Sequence, residues 1–268
     1  STQAKTLFPY TTLFRSTQLI GCLDESNVLA WYGKAIALLP RLGAVELELE
    51  PFDAAFMARE NAIFPEWLLG QHLQLTLSAE EEQLLAETFA CLTANNLAQP
   101  QGVMHRDFHS RNLMVCGGQT PGESELAIID FQDMVIGPLS YDLVSLLKDC
   151  YVRWPDEVIE QGMRQGFETL RQAELLGGLD YAAFRRAADL TGMQRHLKAA
   201  GIFTRLWHRD GKSGYLKDIP RTLDYVVDVC RTHGESYPVL VRFGAWLEQV
   251  VLPGLTRVAE ARADGAAS

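Results

Sequence analysis

Apolar residues recur at three- and four-residue steps over residues 24–42. Val28, Leu29, Tyr32, Ile36 and Leu39 fall on one face of a helix, with Pro40 near its end. A second helix is predicted over residues 53–69, broken or restarted at Pro65. Ser78-Ala79-Glu80-Glu81 has the form of a capping box. The helix it opens reaches about Leu97, turns Leu84, Leu85, Phe89 and Leu92 inward, and stops at Gln99-Pro100-Gln101-Gly102. The texture then changes. Val103-Met104, Leu113 to Cys116 and Leu126 to Ile129 are short apolar runs separated by loops, including Gly117 to Gly122, which predicts short strands and a hairpin. Beyond Ser140 helical patterns return over about 140–150, 156–171, 180–200, 217–232 and 237–250, and the small, polar tail 261–268 is expected to be disordered. No internal repeat is present. The fold class this order predicts is α+β and mainly helical, with a small β element in the middle.

The length, 268 residues, suits one large domain or two small ones, and the 47% apolar and 22% charged content is that of a globular chain. The net charge of −10 makes nucleic acid or an anionic membrane a poor partner. It leaves room for a phosphate ligand held by a metal ion and a few local cations. Cys22, Cys91, Cys116, Cys150 and Cys230 form no C-x-x-C pair. They read as reduced thiols of a cytoplasmic protein, not as a zinc site. No apolar run approaches the ~20 residues of a membrane span. The segment from Lys5 to Ser16 resembles a translated sequencing-adapter peptide, so residues 1–16 are read as non-native and 17–260 as the folded part.

Chemistry concentrates in His105-Arg106-Asp107-Phe108-His109-Ser110-Arg111-Asn112, which has the H-R-D-x-x-x-x-N form of a kinase catalytic loop. Phosphoryl transfer to a hydroxyl needs a carboxylate within hydrogen-bond reach of that hydroxyl, and oxygen ligands for Mg²⁺ set back from it. A tight turn from Asp107 to Asn112 can aim one side chain at each task. Ile129-Asp130-Phe131-Gln132-Asp133 follows an apolar strand, so Asp130 leaves the strand end as a further oxygen ligand. Asp107 is therefore the catalytic candidate, and Asn112 and Asp130 are the metal candidates. His105, Arg106, His109, Asp133 and Asp142 read as supporting residues. Asp142 stands in Gly137-Pro138-Leu139-Ser140-Tyr141-Asp142-Leu143 and is placed to hydrogen-bond back to the loop.

These three motifs, in this order and spacing, resemble the aminoglycoside-phosphotransferase superfamily. His109, two residues after Asp107, and Gln132, where protein kinases have the glycine of D-F-G, set the chain apart from protein kinases. Flanking segments are similar to one bacterial subgroup, the kinases of the anomeric hydroxyl of N-acetylmuramate and N-acetylglucosamine in cell-wall recycling. They include Arg59 to Trp67, Asp149-Cys150-Tyr151, Gln194 to Lys198 and Arg209 to Leu216. The resemblance implies ATP and Mg²⁺ as cofactors, a small amino sugar as substrate, and a protein-kinase-like C-terminal lobe. It also implies an N-terminal lobe with a strand lysine and a loop over the nucleotide. Neither is found ahead of the first helix, where Lys34 reads as a surface lysine. The expectation is a truncated chain whose missing N-lobe would cover the site, leaving its own activity open. Acceptors such as an aminoglycoside, choline or homoserine are the alternative within the class, and a non-catalytic kinase fragment is the alternative outside it.

For the sugar, Glu60, Glu66 and Trp67 are candidates, since sugars bind carboxylates and aromatic faces; a helix start with a core tryptophan is the competing reading. Arg195 and His196 could receive an acidic substrate group, against an ordinary internal ion pair. Arg205, Trp207 and His208 are further candidates, and the acidic run Glu46 to Glu50 reads as a solvated loop.

Overall fold

The computed structural model describes residues 16–266 except 44, 46 and 119. The adapter-like stretch up to residue 15, and the start of the acidic run at Glu46, lie outside the described residues. The chain divides into two compact units, one of residues up to 51 and 100–185, the other of 52–99 and 186–268.

The first unit holds all the strands among the described residues. β1 (Thr17–Gln18), β3 (Leu113–Gly117) and β4 (Ser124–Ile128) form an antiparallel sheet in the order β1-β3-β4, with Leu113 opposite Ile128 and Thr17 opposite Val115. β2 (Gln101–Met104) pairs separately with β5 (Val135–Pro138), Met104 opposite Val135. This refines the expected hairpin. β3 and β4 make it, but the catalytic loop joins β2 to β3, two strands of different sheets.

Helices α1 (Val28–Ile36), α2 (Leu39–Gly43), α5 (Ser140–Leu147) and α6 (Asp156–Gln172) complete this unit, with the start of α7 (Tyr181–Asp210). All eight residues of α5 are buried. Gly162 and Gly166 of α6 make this possible: a Cβ at either would come 2.4 Å from Leu147 or Leu143 of α5. In the core, the Trp154 indole N–H donates to the Tyr32 hydroxyl at 2.9 Å, the two rings meeting edge-on. Lys34 donates from α1 to the Ser124 carbonyl at 2.8 Å. It is therefore a half-buried tie to the hairpin rather than the free surface lysine its helical setting suggested.

The second unit is helical among its described residues. α3 (Ala54–Asn61) is capped by Asp53, which accepts from the Phe56 N–H at 2.8 Å. A π-helical stretch, Phe64–His72, follows with Pro65 in its first turn. This is the break expected at that proline, taken up by widening the helix. The capping box of α4 (Ala79–Ala98) is complete, Ser78 and Glu81 each bonding the other's backbone. α8 (Ile219–His233), α9 (Pro238–Trp246) and α10 (Leu252–Ala266) follow, α9 and α10 being joined by a π turn, Leu247–Val251. That turn carries the helix past Pro253, where no N–H is available, into α10.

α7 is long, yet its sequence shows no clean apolar stripe. It is buried over much of its circumference, and its polar residues are paired inside. Lys198 donates to Glu60 at 3.2 Å, and Gln194 donates to Asn61 at 3.1 Å. Thr191 donates to Asn96 at 2.8 Å, and Gln99 donates to Thr191 at 2.8 Å. Gly201 passes so close to Ile63 that a Cβ would lie 2.6 Å from its carbonyl oxygen, so only glycine fits.

Candidate active site

Every residue of the three sequence motifs lies in the first unit. The catalytic loop is built between two buried carboxylates. Asp142, on α5, accepts the His105 N–H at 2.7 Å and the Arg106 N–H at 3.0 Å. Burial pushes its carboxyl up and Asp107 adds to that, while the charge of His105 and the two N–H bonds oppose it. Asp149, just past α5, accepts the Ser110 hydroxyl at 2.5 Å and the Ser110 N–H at 3.3 Å, and its other oxygen takes the Tyr151 N–H at 2.9 Å. One carboxylate thus fixes the entry of the loop and the other fixes its middle.

Between these anchors the turn closes on itself. The Asp107 carbonyl accepts the His109 N–H at 3.0 Å and the Asn112 side-chain N–H at 3.1 Å. Because the Asn112 amide nitrogen is committed there, its oxygen is the atom left to offer a metal ion. Asn112 also accepts at its carbonyl from the Ile129 N–H at 3.0 Å, bringing Asp130 alongside the loop. Arg106 and Asp130 have φ of 74° and 67°, two of the four non-glycine residues with left-handed backbone among those described. That conformation costs about 1–2 kcal/mol each, and strain of this kind gathers at functional sites. It turns the Asp130 side chain out of its strand into solvent, where Gln132 donates to one carboxylate oxygen at 2.7 Å.

The supporting residues take distinct places. His105 is fully buried, and its Nε2 lies 3.0 Å from the Ile129 carbonyl. A carbonyl only accepts, so Nε2 carries the proton and is not a base. Arg106 reaches the Asp133 carbonyl at 3.2 Å, while Asp133 itself is exposed. His109 is buried, edge-on to the Tyr151 ring with centroids 5.5 Å apart. The Arg111 guanidinium lies flat over the same ring, 3.5 Å from its centre.

The sugar candidates lie in the second unit. Glu60 is buried in its pair with Lys198, Glu66 is exposed and Trp67 half-buried. Arg195 and His196 are 5% and 0% exposed, His196 being stacked on Tyr225 with centroids 4.8 Å apart. Such burial suits packing within the helical unit, the competing reading of these two residues. His208 is exposed and Arg205 and Trp207 are half-buried.

Sequence reasoning gave Asp149, Ser110 and Tyr151 no role. The available signal was a carboxylate closing a buried helix, a place where an acidic residue needs partners.

Asn112 and Asp130 offer only oxygen, the donor type a hard divalent cation takes. Asp130 is open to solvent, so a nucleotide's phosphates can complete the coordination, and these residues fit such an ion. A loop of this build, between a strained metal-type aspartate and two carboxylate anchors, defines a kinase-like phosphotransferase fold. The chain belongs to the phosphotransferase enzyme family, whose sequence profile matches residues 9–176. It is 41% identical to an N-acetylmuramate/N-acetylglucosamine kinase of Neisseria meningitidis, over 85% of this chain and 68% of that protein. It is 39% identical to the enzyme of the same name in Pseudomonas putida, over 77% of this chain and 60% of that protein. Among solved structures, Plasmodium vivax ethanolamine kinase is similar in fold, with a TM-score of 0.55 and 11% identity over 75% of this chain and 61% of that one. The chain thus spans about three-fifths to two-thirds of the length of these relatives.

Proposed function

We propose that the chain carries the catalytic loop of an ATP-dependent kinase that phosphorylates the anomeric hydroxyl of N-acetylmuramate or N-acetylglucosamine, working in the cytoplasm in cell-wall recycling. The observation that carries this reading is the double-anchored loop presenting Asp107 beside Asn112 and Asp130, in a chain so similar to kinases of these two sugars. Asp107 receives the proton of the acceptor hydroxyl as its oxygen bonds to the γ-phosphorus and the bond from that phosphorus to the β,γ-bridging oxygen breaks, releasing ADP. Asn112 and Asp130 would hold Mg²⁺, which when bound offsets the charge of the phosphates. Asp142 and Asp149 keep the loop in register, so Asp107 meets the hydroxyl without rearrangement. Among the described residues no helix is long and apolar enough to cross a membrane.

The test is ADP release with Mg-ATP and either sugar, beside Asp107→Asn. Turnover that falls at least about 100-fold in a folded variant supports the reading. Turnover of choline or an aminoglycoside in place of both sugars overturns the substrate assignment, and turnover unaffected by the substitution overturns the role of Asp107.

A further inference from the structure

We infer that Arg111 is an anion-reading residue of this site, a guanidinium held ready on the Tyr151 ring for an oxyanion of a substrate. The inference rests on the kinase reading above and names a recognition element for it.

Four observations converge. Arg111 stands directly before Asn112 in the catalytic loop. Its guanidinium lies 3.5 Å from the centre of the Tyr151 ring. Tyr151 is itself fixed, its N–H being held at 2.9 Å by the same Asp149 that holds Ser110, the residue before Arg111. The Arg111 side chain is half-buried, and among the described residues no carboxylate pairs with it, in a chain carrying 34 acidic against 24 basic residues.

An arginine kept for stability alone would be expected to find a carboxylate in so acidic a protein. Stacking instead occupies one face of the guanidinium and leaves its edge, where the N–H donors lie, unspent. The planar fork is pre-oriented, so little freedom is lost when it meets two oxygens of one group. The catalytic loop handles two kinds of oxyanion: the nucleotide phosphates and, in N-acetylmuramate, a carboxylate that N-acetylglucosamine lacks. Both present paired oxygens to a fork.

Calorimetric titration of the full chain with Mg-ADP, N-acetylmuramate and N-acetylglucosamine separates these sources. It is run on wild type, Arg111→Gln, Arg111→Lys and Tyr151→Leu, each checked for an unchanged circular dichroism spectrum. Loss of a charge-assisted bidentate contact is expected to weaken one anionic ligand roughly 10- to 100-fold in Arg111→Gln. Arg111→Lys should recover part of that loss, and Tyr151→Leu should lose part of the affinity. Weakening confined to N-acetylmuramate assigns the carboxylate, and weakening confined to the nucleotide assigns the phosphates. Unchanged affinity for both anionic ligands, or equal weakening of all three including the uncharged sugar, overturns the inference. If wild type binds nucleotide but neither sugar, the sugar-kinase reading fails while the nucleotide titration still decides Arg111.

Discussion

Asp149 holds Ser110 through both its hydroxyl and its N–H, at 2.5 and 3.3 Å, and does so from a fully buried position. The Ser110 carbonyl meanwhile accepts the Ile20 N–H at 3.0 Å, so the middle of the catalytic loop is tied on both sides. Replacing Asp149 by alanine strands two buried donors, at a cost of about 1–3 kcal/mol apiece. It also frees the turn between Asp107 and Asn112. Misplacement of about 1 Å can cost on the order of 100-fold in rate. Asp149→Ala is therefore expected to lower kcat far more than it raises the KM for either substrate, with Ser110→Ala milder in the same direction. Steady-state kinetics on folded variants check this. An unchanged kcat would remove Asp149 from the machinery and leave it a packing residue.

Glu60 and Lys198 form a buried pair, with side chains 6% and 8% exposed, and Gln194 also donates to Glu60 at 3.4 Å. Removing one charge leaves the other in a low-dielectric interior, which typically costs about 3–5 kcal/mol, whereas removing both together costs less than the sum. Lys198→Met should accordingly lower the urea midpoint sharply, and Glu60→Leu with Lys198→Met should recover part of the loss. If Lys198→Met leaves the midpoint unmoved, the pair contributes no stability. If Glu60→Gln keeps full stability yet abolishes sugar binding, Glu60 returns as a ligand residue.

The candidate loop was legible because phosphoryl transfer would demand fixed residue types at fixed spacing. Asp107, Asn112 and Asp130 could be placed from the loop pattern and the strand preceding Ile129. Most helices were legible from apolar recurrence, and the capping box at Ser78 from two residues. The pairing of β2 with β5 was not, because Gly102 and Gly137 become neighbours only through a contact far apart in the chain, which no local pattern encodes. α7 runs about ten residues past its predicted end, continuing through Gly201, where the close approach to Ile63 accommodates only glycine. Asp149 stood out only as part of a flanking segment, and its anchoring role was not legible because it serves a backbone turn, which leaves little trace in composition.

A pH-sensitive contact lies in the second unit, between the π-helical stretch and the end of α7. Nδ1 of His72 and Nε2 of His208 are 3.1 Å apart, so they share one proton when one ring is neutral. Burial, then His208, then Arg262 pull His72 down from 6.5 to about 4. Its pKa in the folded chain is below its unfolded value, so the unfolded chain binds more protons between these limits. Stability is therefore complete above about 6.5 and is lost as pH falls towards about 4. His72 is only half-buried, and solvent screening discounts the effect to about 1 kcal/mol. Urea unfolding of wild type should therefore show a fall in stability between about pH 7 and about pH 5 that is about 1 kcal/mol larger than in His72→Gln. An identical slope in both proteins would mean that folding does not pull the His72 imidazole down from its ordinary range.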